Sequence, residues 1–343
     1  MFKYRNFVSN VYAYDLSDKK IYYISTDKEI ISYENGVRNN ILKLSCLCHI
    51  LLFQNKLYIS DTSDLINNYC IDLKSNEIVR NFSVEGIKAL NLSQGHEFGK
   101  IGLFHVNGGC SIYDMKEDKI VFTLKPVEGG RFSLLNLFED EYSFIEIWGV
   151  EKLHCYNQST KLWELDLSVY GRLKRIFGIV DNVLWLWCED YYFIGVDVSS
   201  GSIKKVWEVF DGVYERGRFY FYYPYFDKEE GKIYFFERNC YVVSDLRSCT
   251  TKILWQEDQI KLKIICSTFS KEVIYFTCVI DALAGGNRLG VFDRKTKQII
   301  WMEKLDLSPG DSLWAPRFHD NRLYVQDSGY NLHIYEKSDA SLS

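Results

Sequence analysis

Proline is scarce in this chain, 4 in 343 residues, as are methionine with 3 and histidine with 6. So little proline speaks against stiff Pro-rich linkers and leaves long stretches free to pair as strands. A surplus of positive charge is also missing. Lys and Arg number 41 against 46 Asp and Glu, a formal charge of −5, so no global basic field exists to hold nucleic acid or an anionic membrane. Long apolar runs are absent: the densest windows, Cys46 to Phe53 and Val183 to Cys188, fall far short of the roughly 20 residues of a membrane helix. The opening MFKYRNFVSNVYAYD carries charges at Lys3 and Arg5, but polar residues and an early Asp15 stand where an export signal needs an unbroken apolar stretch. What the chain has in quantity is aromatic side chains, 25 Tyr, 22 Phe and 8 Trp, within an apolar content of 47%. That amount of apolar material builds a sizeable core, and its bias toward aromatics favours strands.

A hairpin recurs along the whole sequence: an apolar strand, an acid or Asn, a polar turn, and a second apolar strand. The anchors are Glu34, Asp72, Asp114, Asn157, Asp197, Asp245, Asp293 and Glu336. Their spacing averages about 43 residues, the length of a four-stranded propeller blade. Two more strands precede each hairpin, as in YFDKEEGKIYFFERN and FHDNRLYVQDSG. The sequence therefore predicts a single all-β domain, an eight-bladed β-propeller of four-stranded antiparallel blades near 9–45, 46–83, 88–125, 131–167, 174–209, 218–257, 262–305 and 312–337. The last repeat stops after its third strand, and residues 2–8 form an orphan strand ahead of the first. The N-terminal strand is expected to complete blade 8, closing the ring and removing open edges. Seven blades remain the alternative, because the first repeat, with ENG at its turn, is the weakest.

Strand side chains alternate faces, so hairpin aromatics that serve one purpose must keep one parity. Phe122 and Trp301 follow their anchors by 8 residues, Trp207 and Trp255 by 10, and Trp163 by 6. All are even, which points to packing between neighbouring blades.

The unit VFDRKTKQIIW, echoed in GVDVSSGSIKKVW and CYNQSTKLW, resembles the repeat of the pyrroloquinoline-quinone-like propellers, roughly A-x-D-x-x-T-G-x-x-x-W. Kelch repeats are the second choice, on the Gly-Gly pairs at Gly108 and Gly109 and at Gly285 and Gly286. The Trp-Asp dipeptide of WD repeats does not occur. The resemblance implies an architecture shared by quinoprotein dehydrogenases and by non-enzymatic assembly scaffolds. The adjacent-cysteine disulfide of the dehydrogenases has no counterpart here. Cys46 and Cys48 are the nearest approach, and no quinone or other cofactor is expected.

No histidine pair has zinc-like spacing, and there is no nucleophile elbow, Walker loop or dinucleotide fingerprint. His96, His105 and Cys110 share one repeat but need tertiary convergence to act together. Acid pairs such as Glu139 with Glu141 read as solvated turn residues. Most of the ten cysteines sit within apolar strands, as reduced thiols do. The expected home is the cytoplasm.

Loop length is uneven. Blades 6 and 7 carry the longest spacings, with extra residues in FDGVYERGR, Phe210 to Arg218, and DALAGGNR, Asp281 to Arg288. The connection DLSPGDSLWAPR, Asp306 to Arg317, adds two prolines and a Trp. Tyr214, Arg216, Arg218, Arg288, Trp314 and Arg317 are residue types enriched at interaction hot spots. They are the candidate partner-binding residues, set against the plainer reading of ordinary solvated loops. The expected function is a monomeric, non-catalytic scaffold that binds a protein or peptide through loops over blades 5 to 8. The alternative is an enzyme or receptor for a glycan or small ligand at the mouth of the central channel.

Overall fold

The computed structural model describes residues 1–17, 20–44, 47–60, 68–92, 99–139, 141–189, 192–209, 224–257, 262–280, 287–308 and 310–338, with the side chains of 134–138 and 237 excluded. These residues form eight four-stranded antiparallel sheets, each with its strands in chain order except the last. The sheets span 11–43, 49–81, 87–124, 131–166, 173–208, 225–256, 263–304 and 317–337. In the eighth, Phe2–Val8 pairs antiparallel with Leu332–Lys337, with Phe2 opposite Lys337 and Val8 opposite Leu332. The ring is thus an eight-bladed propeller closed by its first strand. Seven blades are excluded.

The core lies between blades. Each of the eight buried apolar clusters draws on two neighbouring sheets: Phe144, Trp163, Leu184 and Ile194 join blades 4 and 5, while Phe2, Tyr275, Leu323 and Tyr335 join blades 7 and 8. A blade is covered on both faces by its neighbours, which explains central strands like Ile21–Ser25, buried at every position.

The aromatics marked by parity take their places in this packing. Trp163, Trp301 and Phe122 lie opposite the residue two before their anchors, Cys155, Val291 and Ile112, whereas Trp207 and Trp255 lie opposite the residue four before, Phe193 and Tyr241. A shift of two keeps the face. Every outer strand pair also carries a register shift, for example between Val291 and Phe292 and between Tyr4 and Asn6. Sequence spacing did not reveal it because the bulge recurs in each hairpin and cancels from the comparison. Trp163 is the tightest of these contacts: its Nε1 donates to Val198 O at 2.7 Å. A Cβ on Gly201, where φ is +71°, would meet the indole at 2.7 Å. Glycine is required there on both counts.

Candidate functional site

Antiparallel order puts two kinds of loop on each end of the ring. The hairpin face holds the turns after first and third strands, and the loop face holds the turns after second strands together with the connections between blades.

On the hairpin face the anchor aspartates cap their own turns. Asp72 Oδ1 accepts from the backbone N–H of Lys74 and Ser75, Asp197 Oδ1 from Ser199 and Ser200, Asp245 Oδ1 from Arg247 and Ser248, and Asp293 Oδ1 from Lys295 and Thr296. Backbone and hydroxyl donors hold the Asp72, Asp197 and Asp293 carboxyls below the usual range. The repeated acid is therefore a turn-forming device rather than a ligand group.

Of the six candidate residues, Tyr214, Arg216 and Arg218 lie outside the described residues. Arg288 begins the third strand of blade 7, opposite Cys278 and Lys304, at the loop-face end. Trp314 stands on the connection between blades 7 and 8 with its side chain 46% exposed, while its backbone N–H donates to Gln326 O at 2.8 Å. The same connection is laced to blade 8 by Ser328 N–H on Ser312 O and by Ser328 Oγ on Asp311 Oδ1. These hydrogen bonds hold the connection on either side of Trp314. Arg317 is engaged with blade 1 while its side chain stays 43% exposed. Its Nη2 donates to Asp15 Oδ1 at 2.5 Å, its Nη1 to Tyr14 O at 3.1 Å, and its guanidinium lies over the Tyr14 ring. It ties blade 8 to blade 1.

The acids of the innermost strands are engaged in the same way. Asp15 also accepts from Leu52 N–H of blade 2 at 2.7 Å, so one carboxylate links three blades. Glu139, expected as a solvated turn acid, is 1% exposed. It ends the innermost strand of blade 4, accepts from Ile179 N–H of blade 5 at 3.0 Å and pairs with Lys228 of blade 6. Burying a carboxylate requires such partners. His105 bonds Ser111 Oγ at 2.7 Å, and burial pushes its pKa down; His96 lies outside the described residues. His154, also buried, bonds Tyr156 Oη, and its pKa falls to about 4 because burial disfavours the imidazolium. Among the described residues no group of three or more His, Cys, Asp or Glu could hold a metal. The nine described cysteines are free thiols; Cys48 is buried just ahead of blade 2, and Cys46 is not described. Burial drives the thiols of Cys110, Cys155, Cys188 and Cys278 up to about 12, far from reactive. No helix among the described residues is long and apolar enough to cross a membrane.

A second exposed apolar set on the loop face was not anticipated. Val84 is 82% exposed on the connection from blade 2 to 3, and Val169 is 80% exposed on that from blade 4 to 5. Val106 stands exposed on the turn after the second strand of blade 3 and Trp148 at the end of the second strand of blade 4, with the Arg131 guanidinium 3.9 Å from the centre of the Trp148 ring. The signal was present in the sequence as SVEG, PVEGG and SVYG in three successive connections. Their glycines, Gly86, Gly129 and Gly171, share φ values of +77°, +74° and +75°, so the connections turn alike. In the middle one, Val127 instead packs onto the core between blades 3 and 4.

This architecture is an eight-bladed propeller in which the innermost-strand acids Asp15 and Glu139 are engaged between blades. No protein-family model matches the sequence, and no curated protein matches it. Solved structures share the fold. The computationally designed Ika8 protein is similar with a TM-score of 0.66 and 12% identity, covering 96% of each chain. The C-terminal WD40 domain of Sif2 gives 0.63 and 9% over 98% of each. BamB from Moraxella catarrhalis gives 0.55 and 12% over 98% of this chain and 100% of its own.

Proposed function

We propose that the chain is a non-catalytic scaffold that binds a protein or peptide partner through its loop face over blades 5 to 8, acting in the cytoplasm as a monomer and without a cofactor. The observation that carries this reading is Trp314. A half-exposed indole on a connection pinned by hydrogen bonds is pre-organised contact area, the kind of anchor that dominates interfaces when a partner covers it. The engagement of Asp15 and Glu139 between blades supports the non-catalytic part, since neither is available as a paired acid and base. The blades are assigned to the pyrroloquinoline-quinone-like kind, an assignment supported by the Asp-capped turns and by Trp163 on Gly201 of the next blade.

Val84, Val106, Trp148 and Val169 support a second sector for the same task, over blades 3 to 5. Separate baits distinguish the two. The full chain, a Trp314→Ala/Arg288→Glu variant and a Val84→Ser/Trp148→Ala/Val169→Ser variant are used to capture partners from native lysate. Loss of a partner with the first variant alone supports the blade 5–8 surface, and loss with the second alone moves the surface to blades 3–5. A partner retained by both variants contradicts the loop-face reading and redirects attention to the channel mouth, where glycans would be screened next.

A further inference from the structure

The seam between blades 8 and 1 is packed with Val8, Tyr23, Ile31, Tyr324 and Leu332, but toward the hairpin face this packing gives way to a cavity of about 270 Å³. Its apolar part is Ile21, Tyr33 and Ile334, and its polar part is Arg5, Asn6, Asn35 and Arg322. Two guanidiniums here draw on one carboxylate oxygen: Arg5 Nη1 donates to Glu336 Oε1 at 2.6 Å, and Arg322 Nε lies 3.7 Å from the same atom. Each guanidinium offers five donors, and a single acid cannot engage them all. Asn6 Nδ2 donates to Tyr33 Oη at 2.9 Å, while its buried Oδ1 has no partner among the described residues.

We propose that this cavity binds a small organic oxyanion, a carboxylate or phosphate monoester on a compact apolar body. The oxyanion lies against Arg5 and Arg322, which suit the planar fork of a carboxylate, and the apolar body against Ile21, Tyr33 and Ile334. Because Arg5 and Asn6 belong to the closing strand and Ile21 and Tyr33 to blade 1, the ligand clasps the non-covalent closure of the ring.

Calorimetric titration of the full chain with benzoate, inorganic phosphate and the neutral isostere benzamide tests this. Benzoate or phosphate is expected to bind saturably and benzamide not at all. Arg322→Gln should weaken the anion roughly ten-fold or more, as loss of a charge-assisted hydrogen bond does. Arg322→Lys should fall between, keeping the charge without the fork, and Lys125→Gln on a distant connection should change nothing. Benzoate should raise the thermal midpoint of the wild type and leave that of Arg322→Gln unchanged. Arg5→Gln serves if Arg322→Gln does not fold. Preference between the two anions identifies the carboxylate or the phosphate as the natural headgroup. No saturation by either anion up to about 10 mM, a weak affinity by any scale, would overturn the proposal. So would equal affinity in the wild type and both glutamine variants, or benzamide binding as well as benzoate.

Discussion

The two ends of the ring differ in what their side chains do. On the hairpin face five anchor aspartates, Asp72, Asp114, Asp197, Asp245 and Asp293, turn inward on their own backbone with one geometry. On the loop face the connections differ in length, and apolar side chains such as Val84, Val169 and Trp314 stand out in solvent. Regularity marks the end that builds the fold, and departure from it marks the end proposed to meet partners. Substitutions of the turn-capping aspartates and in the blades should therefore change stability, and substitutions of the exposed loop-face side chains Val84, Val169 and Trp314 should change binding alone.

The largest effect is expected from removing the closing strand. Deleting residues 2–8 takes Phe2 from its packing against Tyr275 and Phe318 and leaves Leu332–Lys337 as an open edge. Loss of a single cooperative transition in thermal unfolding is the expected result, and an unchanged midpoint would break the account of closure. Next comes Trp163→Ala, which empties the contact between blades 4 and 5 and should cost about 3–5 kcal/mol in denaturant unfolding. A Gly201→Val substitution should mimic it by displacing the same ring.

A smaller effect attends acidification. His154 is held neutral in the fold, with its pKa down at about 4 from an ordinary value of 6.5. Between those values the unfolded chain binds more protons, so stability is full above about pH 6.5 and is lost as pH falls toward 4. His154→Gln should flatten this part of the pH–stability profile; a profile identical to wild type would contradict the assignment. Arg317→Glu should cost about 1–3 kcal/mol, since it sets a carboxylate against the partly buried Asp15. The smallest effect is expected at Val84→Ser and Val169→Ser, within about 0.5 kcal/mol of wild type. A large loss there would erase the distinction between the two ends.

The fold was legible because its signals repeat. The anchor acids, the parity of Trp163, Trp207 and Trp301, and the incomplete last repeat each restate one geometry, so eight blades and their closure follow from spacing. Arg317 and Glu139 were not legible in their roles. Their partners, Asp15 and Ile179 N–H, lie 302 and 40 residues away, and only the ring brings them together. Arginine in a loop reads as a contact residue until its partner is seen. The exposed valines were missed for the opposite reason: a lone Val near a turn carries no chemical signal, and the likeness of SVEG to SVYG is visible only once both are known to connect blades.

The central claim, that partners bind the loop face while the hairpin face serves the fold, is tested most directly by capture from native lysate with matched baits. The wild type is compared with the Trp314→Ala/Arg288→Glu variant and with a hairpin-face variant, Asp72→Ala/Asp293→Ala, all confirmed as folded. The account predicts a specific partner that the hairpin-face variant retains and the Trp314 variant loses. A partner kept by the Trp314 variant and lost by the hairpin-face variant would contradict it.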